Sequence, residues 1–180
     1  MNDQQSEYER LIAPIEGRMI RAVWRIVQEP NDADDALQEA LLIVWKRWSQ
    51  IRVHPNPHAL VLRICIQSGY DMLRRKKRRL KWQDADAIPE AIPDTAASPI
   101  QRVSDHELGE QALQAIVRLS KHQAQAILMH AVEEIPYSDI ALAMNCREAT
   151  VRKHVARART RLRTLLSHRI PVVHKEDVHA

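Results

Sequence analysis

Apolar residues return every three or four positions along most of this chain. The clearest case is Val151, Val155, Ala158, Leu162 and Leu165, stepping by four, three, four and three along one face of a predicted helix over 148–167. Ile15, Met19, Val23 and Ile26 keep the same spacing within 7–28, and Pro30 and Asn31 predict the end of that helix. A second helix is predicted from "NDADDALQEALLIVWKRW". Asp32 suits its N-cap, acids in the first turn suit the helix dipole, and Leu37, Leu41, Val44/Trp45 and Trp48 form its core stripe. Residues 49–58 hold two prolines and predict a loop, and a third helix covers 59–79. Helical pattern resumes at about Asp105, in segments 106–119, 121–133 and 136–144. No stretch alternates as a half-buried strand does, so the fold class is all-α.

Residues 83–105 interrupt the periodicity. They hold Pro89, Pro93 and Pro99 with small residues and acids, which predicts a flexible linker. The chain thus divides into an N-terminal helical domain over 1–82, the linker over 83–105, a C-terminal helical domain over 106–170 and a tail over 171–180 that frays.

Composition supports this division. The 180 residues suffice for one domain or two small ones, and 45% hydrophobic content with 28% charge favours folding. Only three glycines and no Phe are present, which favours helix. The formal charge is +4, pointing to an anionic partner, and its distribution says more than its sum. "RRKKRRLK" at 74–81 holds seven bases in eight residues, whereas "QDADAIPEAIPD" at 83–94 holds four acids and no base. Cys65 and Cys146 belong to no metal-ligand or redox pair and fit buried thiols in a reducing compartment. The polar, acidic N-terminus is no signal peptide, and no apolar run approaches the ~20 residues of a membrane helix. A cytoplasmic protein without membrane insertion is expected.

In "PYSDIALAMNCREATVRKHVARAR", 136–159, a short helix with Ile140, Ala141 and Met144 inward meets a tight turn and then the long basic helix. Asn145 sits where a left-handed residue is needed, a conformation Asn tolerates. This is a helix-turn-helix pattern, whose second helix offers its first half to the major groove. Arg147, Glu148, Thr150, Arg152 and Lys153 lie there, off the apolar rail, with side chains able to read base edges. Arg157, Arg159, Arg161 and Arg163 lie further along, toward phosphates or solvent. A solvated helix face normally mixes signs, whereas 147–166 carries seven bases to one acid.

Two further faces stand out. Arg63, Gln67, Tyr70 and Arg74 step by four, three and four, combining cations, an amide and a ring as a single nucleic-acid strand requires, and Arg75 and the run after it extend the electrostatic track. A solvated helix end or a membrane-surface patch is the plainer account of that run. The helix at 34–48 carries Asp34, Asp35, Gln38 and Glu39, with Leu42 beside them, an acidic face turned to solvent or to a basic protein. Nine His are scattered without metal-ligand spacing, and neither a phosphate loop nor a catalytic triad is legible. No metal, cofactor or catalytic residue is expected, and the chain is not expected to be an enzyme.

Three stretches together resemble the extracytoplasmic-function class of bacterial sigma factors. "DADDALQEALLIVW" resembles that family's polymerase-binding helix, "LVLRICIQSGYDMLRRKKRR" its promoter-melting helix, and "LSKHQAQAILMHAVEEIPYSDIALAMNCREATVRKHVARARTRL" its C-terminal helix-turn-helix. The sequence departs from the family pattern at Leu41 (usually aromatic), Leu60 (Trp), Gln67 (Asn), Asn145 (Gly) and Arg147 (a capping Ser). The resemblance implies that Asp34, Asp35, Gln38, Glu39 and Leu42 dock on a coiled coil of core RNA polymerase. It implies that Arg147, Glu148, Thr150, Arg152, Lys153 and Arg157 meet the minus-35 element of promoter DNA. His54, Asn56, Arg63, Gln67, Tyr70, Arg74 and Arg75 would then meet the minus-10 element, the 49–58 loop cradling a base flipped from the stack. An anti-sigma factor is the further partner implied. The other classes open at this point are a stand-alone dimeric helix-turn-helix regulator and a polymerase-binding interaction protein; neither a dimeric regulator's DNA contact nor its pairing needs the acidic face.

Overall fold

A computed structural model describes residues 3–86 and 105–167, with side chains placed over 6–79 and 111–167. The linker core and the tail expected from the sequence lie outside the described residues. The first stretch folds as α1 (Asp3–Ile12), a 3₁₀ turn (Ala13–Ile15), α2 (Glu16–Val27), α3 (Pro30–Lys46), α4 (Trp48–Ile51) and α5 (Pro57–Asp86). The second folds as α6 (Asp105–Ile116), α7 (Lys121–Ala131), α8 (Tyr137–Met144) and α9 (Glu148–Ser167). Every regular element among the described residues is helical.

Several boundaries differ from those predicted, each for a local reason. Pro14 falls in the 3₁₀ turn and divides what the periodicity presents as one helix, because proline has no N–H to give the preceding turn. Pro30 opens a helix rather than closing one. The chain leaves α2 through Gln28 in the left-handed region (φ 60°), and Pro30 takes the first position of α3, where an N–H has no partner anyway. The N-cap is Glu29, not Asp32: its carboxylate accepts from the Asp32 N–H at 2.8 Å and the Asn31 N–H at 3.3 Å. Within the expected loop, Trp48–Ile51 forms a helical turn. Asn56 then caps α5, its Oδ1 accepting from the Ala59 N–H at 2.9 Å, with Pro57 next in line.

The core stripe of α3 is rotated from the expected one. Ala33, Ala36, Ala40 and Val44 are fully buried, whereas Leu37 and Leu41 are half-buried and Trp45 is 52% exposed. Packing explains this: α3 lies against both α2 and α5, and alanines let three helices approach closely. The larger side chains occupy the flank, where Tyr8 sits between Trp45 and Trp48 with ring centroids 6.1 and 5.5 Å away. In the C-terminal half the rail of α9 packs as its spacing predicts, with Val151, Val155 and Ala158 buried on α7, α8 and α6.

The two helical domains are not held apart. α5 packs on both α7 and α8, and one apolar core runs from Ile12 in the first domain to Ala158 in the second. The helices of the C-terminal domain thereby lie on the long helix that ends the N-terminal one.

Candidate nucleic-acid and polymerase interfaces

The helix-turn-helix is built as its sequence suggests. α8 ends at Asn145, whose φ of 50° and ψ of 51° place it in the left-handed region. The Cys146 N–H returns to the Ala141 carbonyl at 3.0 Å and the Asn145 N–H to that of Leu142 at 3.1 Å, closing the helix end. α9 then leaves with its rail inward and Arg147, Arg152, Lys153 and Arg157 exposed, while Glu148 and Thr150 are half-exposed. Arg152 is held in place. Its Nε donates to Glu148 at 3.1 Å, and its guanidinium lies 4.4 Å from the centre of the Tyr137 ring. Tyr137, on which His130 stacks at 4.1 Å, is a positioning platform that the sequence reasoning missed. Its only signal was an aromatic ring at the start of the preceding helix. His154 stands 5.7 Å from His122, and burial, then the neighbouring His122 and Arg157 charges, push its imidazole pKa down.

On α3, Asp34, Asp35 and Gln38 face solvent and Leu42 is 58% exposed. Glu39 is engaged, receiving the Arg75 guanidinium at 2.7 and 2.9 Å, and Asp32 receives Lys76 at 2.6 Å. Arg75, expected on the DNA track, therefore touches the acidic face instead. Beside this face lies a cavity of about 390 Å³ lined by Tyr8, Gln38, Leu41, Leu42 and Trp45. Tyr8 and Trp45 had been missed, because Trp45 reads as core from spacing alone and Tyr8 belongs to a helix distant in sequence.

The face assembled on α5 is covered, contrary to the open polar surface expected. Tyr70 is fully buried, and its hydroxyl donates to the Leu119 carbonyl at 2.6 Å. Burial, ahead of every other influence, pushes the Tyr70 phenol up. Arg74 remains exposed, 5.8 Å from the Tyr70 ring centre. Gln67 accepts from the side-chain amide of the fully buried Gln125 at 3.0 Å. Arg63 donates to the Ala143 carbonyl at 2.7 Å, and burial, then the nearby Arg47 charge, lowers its pKa. His54 takes the Asn56 N–H on Nδ1 at 3.0 Å, which leaves the proton on Nε2 to reach the Leu142 carbonyl at 3.3 Å. Leu142 and Ala143 close α8, so two side chains of the N-terminal domain satisfy the electron-rich end of a helix in the other. Periodicity cannot reveal this, because the partners lie 80 and 88 residues apart.

A helix-turn-helix with an exposed basic second helix, in a chain that elsewhere exposes an acidic helix face, fits the class of transcription factors. Profiles described as "Sigma-70 region 2" and "Sigma-70, region 4" match residues 11–79 and 109–162. The chain belongs to the sigma-70 family, in its extracytoplasmic-function class: a sigma factor, which directs RNA polymerase to promoters. It is 26% identical over 157 residues to the RNA polymerase sigma-E factor of Streptomyces coelicolor, covering 87% of this chain and 84% of that one. It is 29% identical over 152 residues to the extracytoplasmic-function sigma factor SigM of Mycobacterium tuberculosis, covering 84% and 73%. Its fold matches that of the sigma factor RpoE of Bartonella quintana, solved with the anti-sigma factor NepR, at a TM-score of 0.54 and 21% identity over 91% of this chain and 98% of that one. Among the described residues no helix is long and apolar enough to cross a membrane, and no group of three or more potential metal ligands occurs.

Proposed function

We propose that this sigma factor docks on core RNA polymerase through Asp34, Asp35, Gln38, Glu39 and Leu42 of α3, and reads the minus-35 element with the first two turns of α9. Arg147, Arg152 and Lys153, with Glu148 and Thr150 beside them, face base edges; Arg157 meets phosphate. His54, Asn56, Arg63, Gln67, Tyr70 and Arg74 take the minus-10 strand as it opens. Arg75 contributes only when released from Glu39. The domain division follows: 1–82 for polymerase and the minus-10 element, 106–170 for the minus-35 element, and 83–105 joining them. The chain supplies an address and a strand-capture surface rather than catalysis, acts in the cytoplasm, and is restrained by an anti-sigma protein.

The observation that carries this assignment is the exposed acidic and apolar face of α3 in a chain whose other end exposes a basic reading helix. A dimeric regulator uses the second surface and has no work for the first. Run-off transcription with purified core polymerase tests the assignment. The chain should make promoter-dependent transcripts that core alone does not, and transcripts identical with and without it would refute the proposal.

A further inference from the structure

We infer that the chain carries a binding site for a single-chain fatty acid, in an apolar cavity between α2, α5, α6 and α7. The cavity has a volume of about 520 Å³, and Ala22, Ile26, Ile66, Leu113, Ile116 and Leu128 form its apolar wall. Ala22 on α2 and Ala112 on α6 leave room there that longer side chains would fill. None of the residues assigned to polymerase or to DNA lines it. The site therefore goes beyond the function proposed above, and that function stands or falls separately from it.

The mouth of the cavity selects the head group. Trp24 and Val132 carry the apolar wall out to the surface, 37% and 39% exposed. Beside them, Arg25 uses Nη1 on the Glu133 carboxylate at 3.1 Å, which leaves Nη2 and Nε for a ligand among the described residues. Gln28 lines the same cavity and is exposed. Glu133 is already satisfied, with Arg18 at 3.4 Å and Arg25 at 3.1 Å from its carboxylate. Two guanidinium charges against one carboxylate leave this edge with a surplus positive charge. A carboxylate head offsets that charge and takes paired, charge-assisted hydrogen bonds from a guanidinium. An alcohol leaves the charge uncompensated, and a cationic head is repelled.

Volume selects the tail. At roughly 30 Å³ for each water-sized atom, the cavity takes on the order of 17 non-hydrogen atoms. That is a carboxylate with one chain of about 10–14 carbons, and a two-chain lipid exceeds the space. A partner helix is excluded by the same arithmetic. It is about 10–12 Å across and rises about 5.4 Å per turn, so about one turn would fill the cavity, whereas helix-in-groove docking uses anchors spread over two turns. An apolar pocket of about 300–1,000 Å³ with a few convergent polar groups is the usual form of a small-molecule site. The cavity wall draws on helices from both halves of the chain, so a bound fatty acid stabilises their arrangement through its own binding free energy.

The test is calorimetric titration of the full chain with decanoate below its micelle concentration. Decanoate should bind saturably at one site, with a dissociation constant below about 1 mM and at least about tenfold below that of decanol. Affinity should rise about fourfold per added carbon from octanoate to dodecanoate, and stop rising beyond about 14 carbons, where the cavity is full. No saturable binding, equal affinity for decanol, or a rise that continues through octadecanoate would overturn the proposal. Arg25→Gln, at an exposed side chain, should weaken decanoate at least about tenfold and leave decanol within about twofold; unchanged decanoate binding would overturn the carboxylate assignment. Ala112→Phe should fill the cavity and abolish binding, and retained binding would overturn the location. A second readout covers the case in which that variant folds poorly. Decanoate brominated at its chain end should quench the fluorescence of Trp24, so most quenching seen in the wild type should disappear in Trp24→Phe. Equal fractional quenching in both chains would place the ligand elsewhere and overturn the site.

Discussion

Removing one oxygen atom should loosen the two domains without harming the strand-capture face. The Tyr70 hydroxyl is fully buried and donates to the Leu119 carbonyl at 2.6 Å. In Tyr70→Phe the packed arrangement of the two domains keeps the ring but leaves that carbonyl without this donor. An unsatisfied buried acceptor costs about 1–3 kcal/mol, and the hydrogen bond itself is worth about 0.5–1.5 kcal/mol net. When the domains part, water satisfies the carbonyl, so the cost falls on the packed arrangement alone. A shift of about 1–2 kcal/mol multiplies the open population roughly 5- to 30-fold. Hydrogen exchange of the Tyr70–Asp71 region and of α7 reads this directly, where exchange proceeds by domain opening. The phenyl ring still stacks, so promoter opening with polymerase should be retained. Tyr70→Ala is the contrast, because it loosens the packed state further by leaving a cavity and removes about 1–3 kcal/mol of stacking per base. Exchange in Tyr70→Phe within twofold of wild type, at matched global stability, would refute the reasoning about this contact.

Three further outcomes follow from the C-terminal domain. Arg152→Ala should change which upstream bases are preferred, at about 1–3 kcal/mol for its cognate base, whereas Arg161→Ala should weaken all sequences alike, as binding selections on randomised promoters would show. Asn145→Ala should destabilise the domain by about 1 kcal/mol in denaturant titration, because Ala tolerates the left-handed turn less well than Asn. The His154 imidazole is held below its ordinary value of 6.5, so the fold favours the neutral ring and the unfolded chain binds its proton first. Stability from this group is therefore complete above 6.5 and declines as pH falls through and below that value; thermal melts of wild type and His154→Gln should converge or cross on acidification.

The helices were legible where one face carries large apolar side chains and nothing competes, as along Val151, Val155, Ala158 and Leu162. Asn145 was legible because the left-handed turn restricts what can sit there. The stripe of α3 was not, because Leu37, Leu41 and Trp45 outweigh Ala33, Ala36 and Ala40 in any hydrophobic pattern, while close approach to α2 and α5 selects the alanines. Pro30 ends one helix and begins the next with equal economy, and only the acceptor role of Glu29 decides between them. On α5, Arg63, Gln67 and Tyr70 do share a face, as their spacing requires. What covers that face depends on residues 49–80 positions away, between Tyr70 and Leu119 and between Arg63 and Ala143, which local periodicity does not encode. The acidic face of α3 was legible as charge, and its apolar neighbour at Tyr8 and Trp45 emerged only once α1 was in place.

Equilibrium titration of purified core RNA polymerase with the wild-type chain and with Asp35→Lys tests the docking face most directly. Asp35 is exposed and away from the contact between the domains, so its reversal leaves the fold and the reading helix intact. The wild-type chain should bind core, and Asp35→Lys should raise the dissociation constant at least about tenfold, a loss of about 1.4 kcal/mol. Affinities equal within twofold would contradict docking through α3, and a wild-type chain that does not bind core would contradict its assignment as a sigma factor.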